Sequence, residues 1–190
     1  CWYRDKEFIL KAMEIEGLSL SGASETLRAD KEVVIAAVTN NGCAIQFADP
    51  SLQGNYEVAK IAISTDPFSL VFAKSLRGDK NFILDAVKTN GLILNYASKE
   101  LQADTEVLFA AVKNNGHALG YASIENLANH KVVQAALLNK DDALKFAYVV
   151  ISTEYKVSRK YPTIFEQTVT EAFSEFENKK ILLSSYGSLY

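Results

Sequence analysis

Apolar and polar positions follow one another along this chain in a block that recurs with little change. Residues 30–54 show it well. Asp30 precedes Val33, Val34, Ala37, Val38 and Asn41, which fall on one side at helical spacing. Asp30 is a good N-cap, and Glu32 in the first turn favours the positive end of the helix. Asn40-Asn41-Gly42 predicts the stop, because glycine tolerates the left-handed conformation that closes many helices. The helix so bounded has about 10 residues and is ~15 Å long. Ala44-Ile45-Gln46-Phe47-Ala48 then reads as a second helix of about five to seven residues. A single turn follows, begun by a capping residue (Ser24, Asp49, Ser98 or Ser123) and ending near Leu27, Leu52, Leu76 or Leu101. Pro50 after Asp49 supports a new start there, since proline suits the first helical position. A strand is the weaker reading, because no segment alternates with period two for long enough.

The block repeats. Starts at residues 5, 30, 55, 79, 104 and 129 are spaced by 25, 25, 24, 25 and 25 residues, and the short interval has lost one residue between Ala73 and Leu76. Six repeats therefore fill residues 5–153. Pro67 and Asp141 stand where the other repeats have glycine, so those turns should differ locally. One column is alanine throughout (Ala12, Ala37, Ala62, Ala86, Ala111, Ala136), which predicts close helix–helix contact. Another is aromatic in Phe47, Phe72, Tyr96, Tyr121 and Phe146, with Gly22 in the first repeat, and reads as continuous core. The predicted architecture is all-α: an α-solenoid of six helix-turn-helix repeats. Residues 154–190 supply a basic connector, Lys156 to Lys160, an amphipathic capping helix from Pro162 to Lys180 and a frayed end. Trp2 falls in the last apolar slot of a preceding repeat, and the chain opens at Cys1 rather than Met; both predict a fragment of a longer, monomeric array.

The pattern D-x-E-[VFI]-[VIL]-x-x-A-[VIM]-x-x-N-G-x-x-L-x-[YF]-A-S-x-x-L resembles a known family, the domain of unknown function numbered 4116. The match is closest at Asp79–Leu101 and Asp104–Ser123, and departs at Pro67, Asp141 and Tyr148. The resemblance implies tandem repeats of bacterial and protist proteins, including effectors injected by Legionella-type intracellular bacteria. It implies no catalytic residue.

Composition and charge then narrow the chemistry. The 190 residues are 48% hydrophobic and 23% charged, as in a chain that folds, and no run approaches a membrane span. A net charge of −3 argues against a broad DNA footprint. Cys1 and Cys43 form neither a disulfide framework nor a CxxC motif, so a reducing compartment is expected. No metal, cofactor, phosphate loop or nucleophile elbow is expected either. Cys43 and His117 as a thiol–imidazole pair occupy one column three repeats apart, about 25–30 Å at ordinary helix spacing. The reading is a non-enzymatic scaffold for a protein partner. The alternatives are an accessory module of an enzyme whose catalytic domain lies elsewhere, and a binder of anionic ligands such as phosphoinositide or RNA. Candidate binding residues are Lys88 and Lys113, which lie on an exposed stripe with Glu7, Glu32, Glu57 and Glu106. Gln46, Asn95 and Lys145 mark the fallback surface on the second helix.

Overall fold

A computed structural model describes residues 6–123, Asn126 and residues 129–139, and every regular element among them is helical. The α-helices are α1 (Lys6–Ile15), α2 (Glu25–Arg28), α3 (Lys31–Asn40), α4 (Pro50–Gln53), α5 (Tyr56–Thr65), α6 (Lys80–Thr89), α7 (Lys99–Ala103), α8 (Thr105–Asn114) and α9 (His130–Asn139). The long ones, α1, α3, α5, α6, α8 and α9, have ten residues each, as the block pattern predicts. Asp30, Asn55 and Asp104 cap α3, α5 and α8, each accepting two first-turn amides. Phe146, Asp141, Lys145, Tyr148, Trp2, the basic connector and the capping helix lie outside the described residues.

The element predicted as a second helix is a 3₁₀ helix in every described repeat: Gly17–Gly22, Gly42–Phe47, Pro67–Val71, Gly91–Tyr96 and Gly116–Tyr121. Three residues per turn place positions three apart on one face. Gly42, Ile45 and Ala48 share that face and are buried, as are Gly17, Leu20 and Ala23, and Gly116, Leu119 and Ala122. The short α-turns α2, α4 and α7 follow, bringing Leu27, Leu52 and Leu101 to the core.

The chain forms two compact bodies. The first runs to Ala86 and includes Tyr96–Ser98; the second comprises Val87–Asn95 and the chain from Lys99. In the first, α1 packs on α3 and α3 on α5, while the 3₁₀ helices of successive repeats lie side by side. In the second, α8 packs on α9, and Gly116–Tyr121 packs against both. Val33, Val34, Ala37 and Val38 of α3 are fully buried, as are Val107, Leu108, Ala111 and Val112 of α8.

Three expectations need correction. No described glycine has a positive φ, so Gly42 does not close α3 by a left-handed turn. It is needed for space: a Cβ on Gly42 would lie 2.2 Å from the Ala62 carbonyl oxygen, and on Gly17 or Gly91 it would lie 2.3 Å from that of Ala37 or Ala111. The glycine of one repeat thus sits on the alanine turn of the next, which explains both columns together. In the alanine column, Ala37, Ala62, Ala86, Ala111 and Ala136 are buried, but Ala12 is only half-buried; α1 packs on α3 along one side. Finally, Phe47, Phe72, Tyr96 and Tyr121 are half-buried rather than core. They start one residue before the buried alanine of the period-three face, so their rings lie at its edge.

Candidate functional site

The Asn-Asn-Gly triplet, read from sequence as a stop signal, divides its labour. Asn41 caps the 3₁₀ helix by accepting the Cys43 amide at 3.0 Å, and Asn115 accepts the His117 amide in the same way. Asn40 reaches back to the preceding repeat: its Oδ1 accepts the Gly17 amide at 2.8 Å and its Nδ2 donates to the Glu14 carbonyl at 2.9 Å. Asn114 repeats this clip in the second body, accepting from Gly91 and donating to the Lys88 carbonyl, both at 2.8 Å. One side chain thereby satisfies a helix-end carbonyl and a neighbouring amide, groups that helix termini otherwise leave open. The equivalents Thr65 and Thr89 carry no amide, and Thr65 donates its hydroxyl to Ile61 within its own helix.

A second set of ties alternates between repeats. Arg77 Nε donates to the Tyr96 carbonyl of the next repeat at 2.8 Å, and the Arg77 carbonyl accepts the Ser98 amide at 2.8 Å. Gln102, in the corresponding column, turns onto its own repeat and donates to Leu94 and Asn95 carbonyls at 3.2 and 2.9 Å. Gln53 does the same with Gln46 and Ala48. The alternation of Arg28, Gln53, Arg77 and Gln102 marks the column in sequence, but Arg28 does not repeat the Arg77 bond: its Nε is buried without a hydrogen-bond partner.

The predicted charged stripe is exposed, but its acidic part is engaged. Lys6 pairs with Asp30 and Glu32, each at 2.8 Å, and Lys31 with Glu57 at 2.6 Å, so lysines of one repeat hold carboxylates of the next. Glu7 pairs with Lys11 at 3.2 Å within α1. Hydrogen bonding to Lys6 holds the Asp30 carboxyl below its ordinary range, and the same bonds raise Lys6. Lys88 and Lys113 are exposed in the last turns of α6 and α8, where cations favour the helix dipole. Lys113 Nζ lies 5.6 Å from the Phe109 ring centre, a cation–π approach.

Cys43 and His117 belong to different bodies. Cys43 donates its thiol to Asp66 Oδ2 at 3.1 Å. Burial, then the Asp66 carboxylate, pushes its pKa up to about 11, the reverse of an activated nucleophile. Among the described residues no cluster of His, Cys, Asp and Glu could hold a metal, and no helix is long and apolar enough to cross a membrane.

What the first body does present is a run of rings. Phe68 is 45% exposed and meets Phe72 and Tyr96 edge-to-face, with centres 5.7 and 5.8 Å apart. The first pair joins the second residue of the Pro67–Val71 helix to the residue that follows it; the other joins that helix to the next repeat. Phe68 was not singled out in sequence, since Leu18, Cys43, Leu92 and His117 occupy its column and hide the pattern.

Helices in tandem, tied by the same side chains at the same offsets, define a helical-repeat protein. The family model for a domain of unknown function (DUF4116) matches residues 5–53, 30–77, 55–102 and 79–127. The chain belongs to that family. Each matched segment spans two of the 25-residue blocks, and successive segments overlap by one. No curated protein matches the chain, and no solved structure does.

Proposed function

We propose that this chain is a non-enzymatic scaffold: six 25-residue repeats stacked as an α-solenoid, with a C-terminal capping helix, that binds another protein. The observation that carries the reading is the placement of aromatic rings at the edge of the 3₁₀ helices, half-buried in Phe47, Phe72, Tyr96 and Tyr121 and exposed in Phe68. Rings held by their repeat but open on one face offer a large apolar contact at small conformational cost, which is what binding surfaces enrich. Lys88 and Lys113 add exposed positive charge in the second body and supply steering rather than affinity. An effector role in a host cell extends the family resemblance and rests on it alone.

The test is affinity capture of a protein partner, followed by quantitative binding of that partner to variants. Phe68→Ala should weaken binding about tenfold or more, in the range of a hot-spot truncation. Lys88→Glu with Lys113→Glu should slow association, with the difference shrinking at physiological salt. Cys43→Ala should leave binding intact. A partner bound equally by all these variants would discard these residues as binding positions. Salt-dependent binding to anionic liposomes or oligonucleotides, with no protein captured, would replace the reading with the anionic-ligand one.

A further inference from the structure

The third repeat departs from its neighbours at four places that lie together. The residue lost between Ala73 and Leu76 belongs to the capping slot, filled by Ser24 and Asp49 in the earlier repeats. Ser24 accepts the Leu27 amide and Asp49 the Ser51 amide, whereas the turn Lys74–Gly78 has no side-chain cap and winds as a 3₁₀ helix instead of an α-turn. Ala73 absorbs the deletion with ψ 58, where Ala23 and Ala48 have ψ 154 and 158. Pro67, in the glycine position, has no amide to give to a clip of the Asn40 type. Ser69 is wholly buried with its hydroxyl unpartnered, in a column that holds exposed Ser19 in the first repeat and buried Ala44, Ile93 and Ala118 in the others.

The missing cap and Pro67 each remove a hydrogen bond, Ser69 leaves a polar group unsatisfied, and all fall within thirteen residues, 67–79. Ties across to the next repeat include the edge contact of Tyr56 with Phe82 at 4.7 Å, that of Phe68 with Tyr96, and the Arg77 bonds to Tyr96 and Ser98. Ring contacts of this kind tolerate sliding, whereas a side-chain clip onto a specific amide does not. We infer that residues 67–79 are a built-in hinge: the segment opens locally, as one cooperative event, while α3 and α5 stay folded. The rings of Phe68, Phe72 and Tyr96 sit on this segment or against it, so opening uncovers them. The inference concerns local stability and stands whether or not the chain is a scaffold.

Native-state hydrogen exchange on the full chain tests it. The Phe72, Leu76, Asp79 and Ser98 amides should exchange about tenfold or more faster than buried amides of α3 and α5, with the weak denaturant dependence of a local opening. Inserting a serine between Ala73 and Lys74 restores the cap and should slow exchange at Leu76 and Asp79, leaving α3 unchanged. Ser69→Ala, which keeps the backbone length, should slow exchange at Phe72 if the insertion variant does not fold. Exchange of these amides only through global unfolding, or equal protection in both variants and the parent chain, overturns the hinge.

Discussion

The second and third repeats share one plan although most of their residues differ, and the comparison shows what holds a repeat in place. Both have a ten-residue helix with an Asx cap, Asp30 in one and Asn55 in the other, and both bury an alanine at the same step, Ala37 and Ala62. The second repeat adds Asn40, which clips it to the repeat before, Gly42, which admits the repeat after, and Asp49, which caps its closing turn. The third repeat has Thr65, Pro67 and a deletion at the same three places. Its apolar core is nevertheless intact: Val58, Ala59, Ala62, Leu70 and Leu76 are buried. Burial therefore forms the repeat, and the polar and glycine positions fix its junctions.

The largest expected effect attacks a junction directly. Gly42→Ala puts a methyl against the Ala62 carbonyl, a backbone atom that cannot rotate away, and should destabilise the chain by about 2–3 kcal/mol. Gly78→Ala, with nothing within 4 Å of its Cβ, should stay within about 0.5 kcal/mol. Similar melting midpoints for these two variants would mean that Gly42 is not a packing residue. Ala111→Leu should cost ~1–3 kcal/mol by overpacking the same contact in the second body.

Next come the clips. Asn40→Ala removes two hydrogen bonds, one to a half-buried amide, and should cost about 1–2 kcal/mol. Ser69→Ala should instead stabilise by about 1 kcal/mol, because it deletes an unpartnered buried hydroxyl and leaves the residue that two other repeats carry. Denaturant titrations of both variants check the opposite signs. A loss of stability in Ser69→Ala would show that the hydroxyl has a partner, and would weaken the contrast between the repeats.

The smallest effect is electrostatic. Asp30 has a depressed carboxyl in the fold, through Lys6 first and the Val33 and Glu32 amides after it. A depressed folded pKa contributes stability above the ordinary carboxylate range and loses it as pH falls through the folded value. The chain should therefore lose a small increment of stability on acidification below about pH 4. Asp30→Asn keeps a cap of the kind Asn55 already provides and should flatten that part of the pH profile. An unchanged profile would mean that the exposed pair contributes nothing measurable.

Positions of the long helices were legible because each ten-residue α-helix carries its own code: an Asx cap, a pair of apolar residues, an alanine one turn on. The repeat spacing was legible for the same reason. The 3₁₀ character of Gly42–Phe47 was also present in sequence, as the period-three run Gly42, Ile45, Ala48, though six residues are too few to separate it from an α-helical period by inspection. The candidate surface was legible in part. Lys88 and Lys113 were placed on an exposed face, whereas Phe68 was hidden among unlike residues of its column.

What sequence by itself determined is the set of local conformations and the phase of the repeat, since caps, helical spacing and turn residues act over a few bonds. What only the tertiary structure decided is why particular residues stand where they do. Gly42 looks like a turn residue until the Ala62 carbonyl of another repeat is found against it, and Asn40 looks like a helix stop until its amide is found on Glu14. The aromatic column looks like core until its edge is found open. These partners lie about twenty or more residues away, and a contact across that separation is fixed by how neighbouring repeats pack, which no local signal encodes.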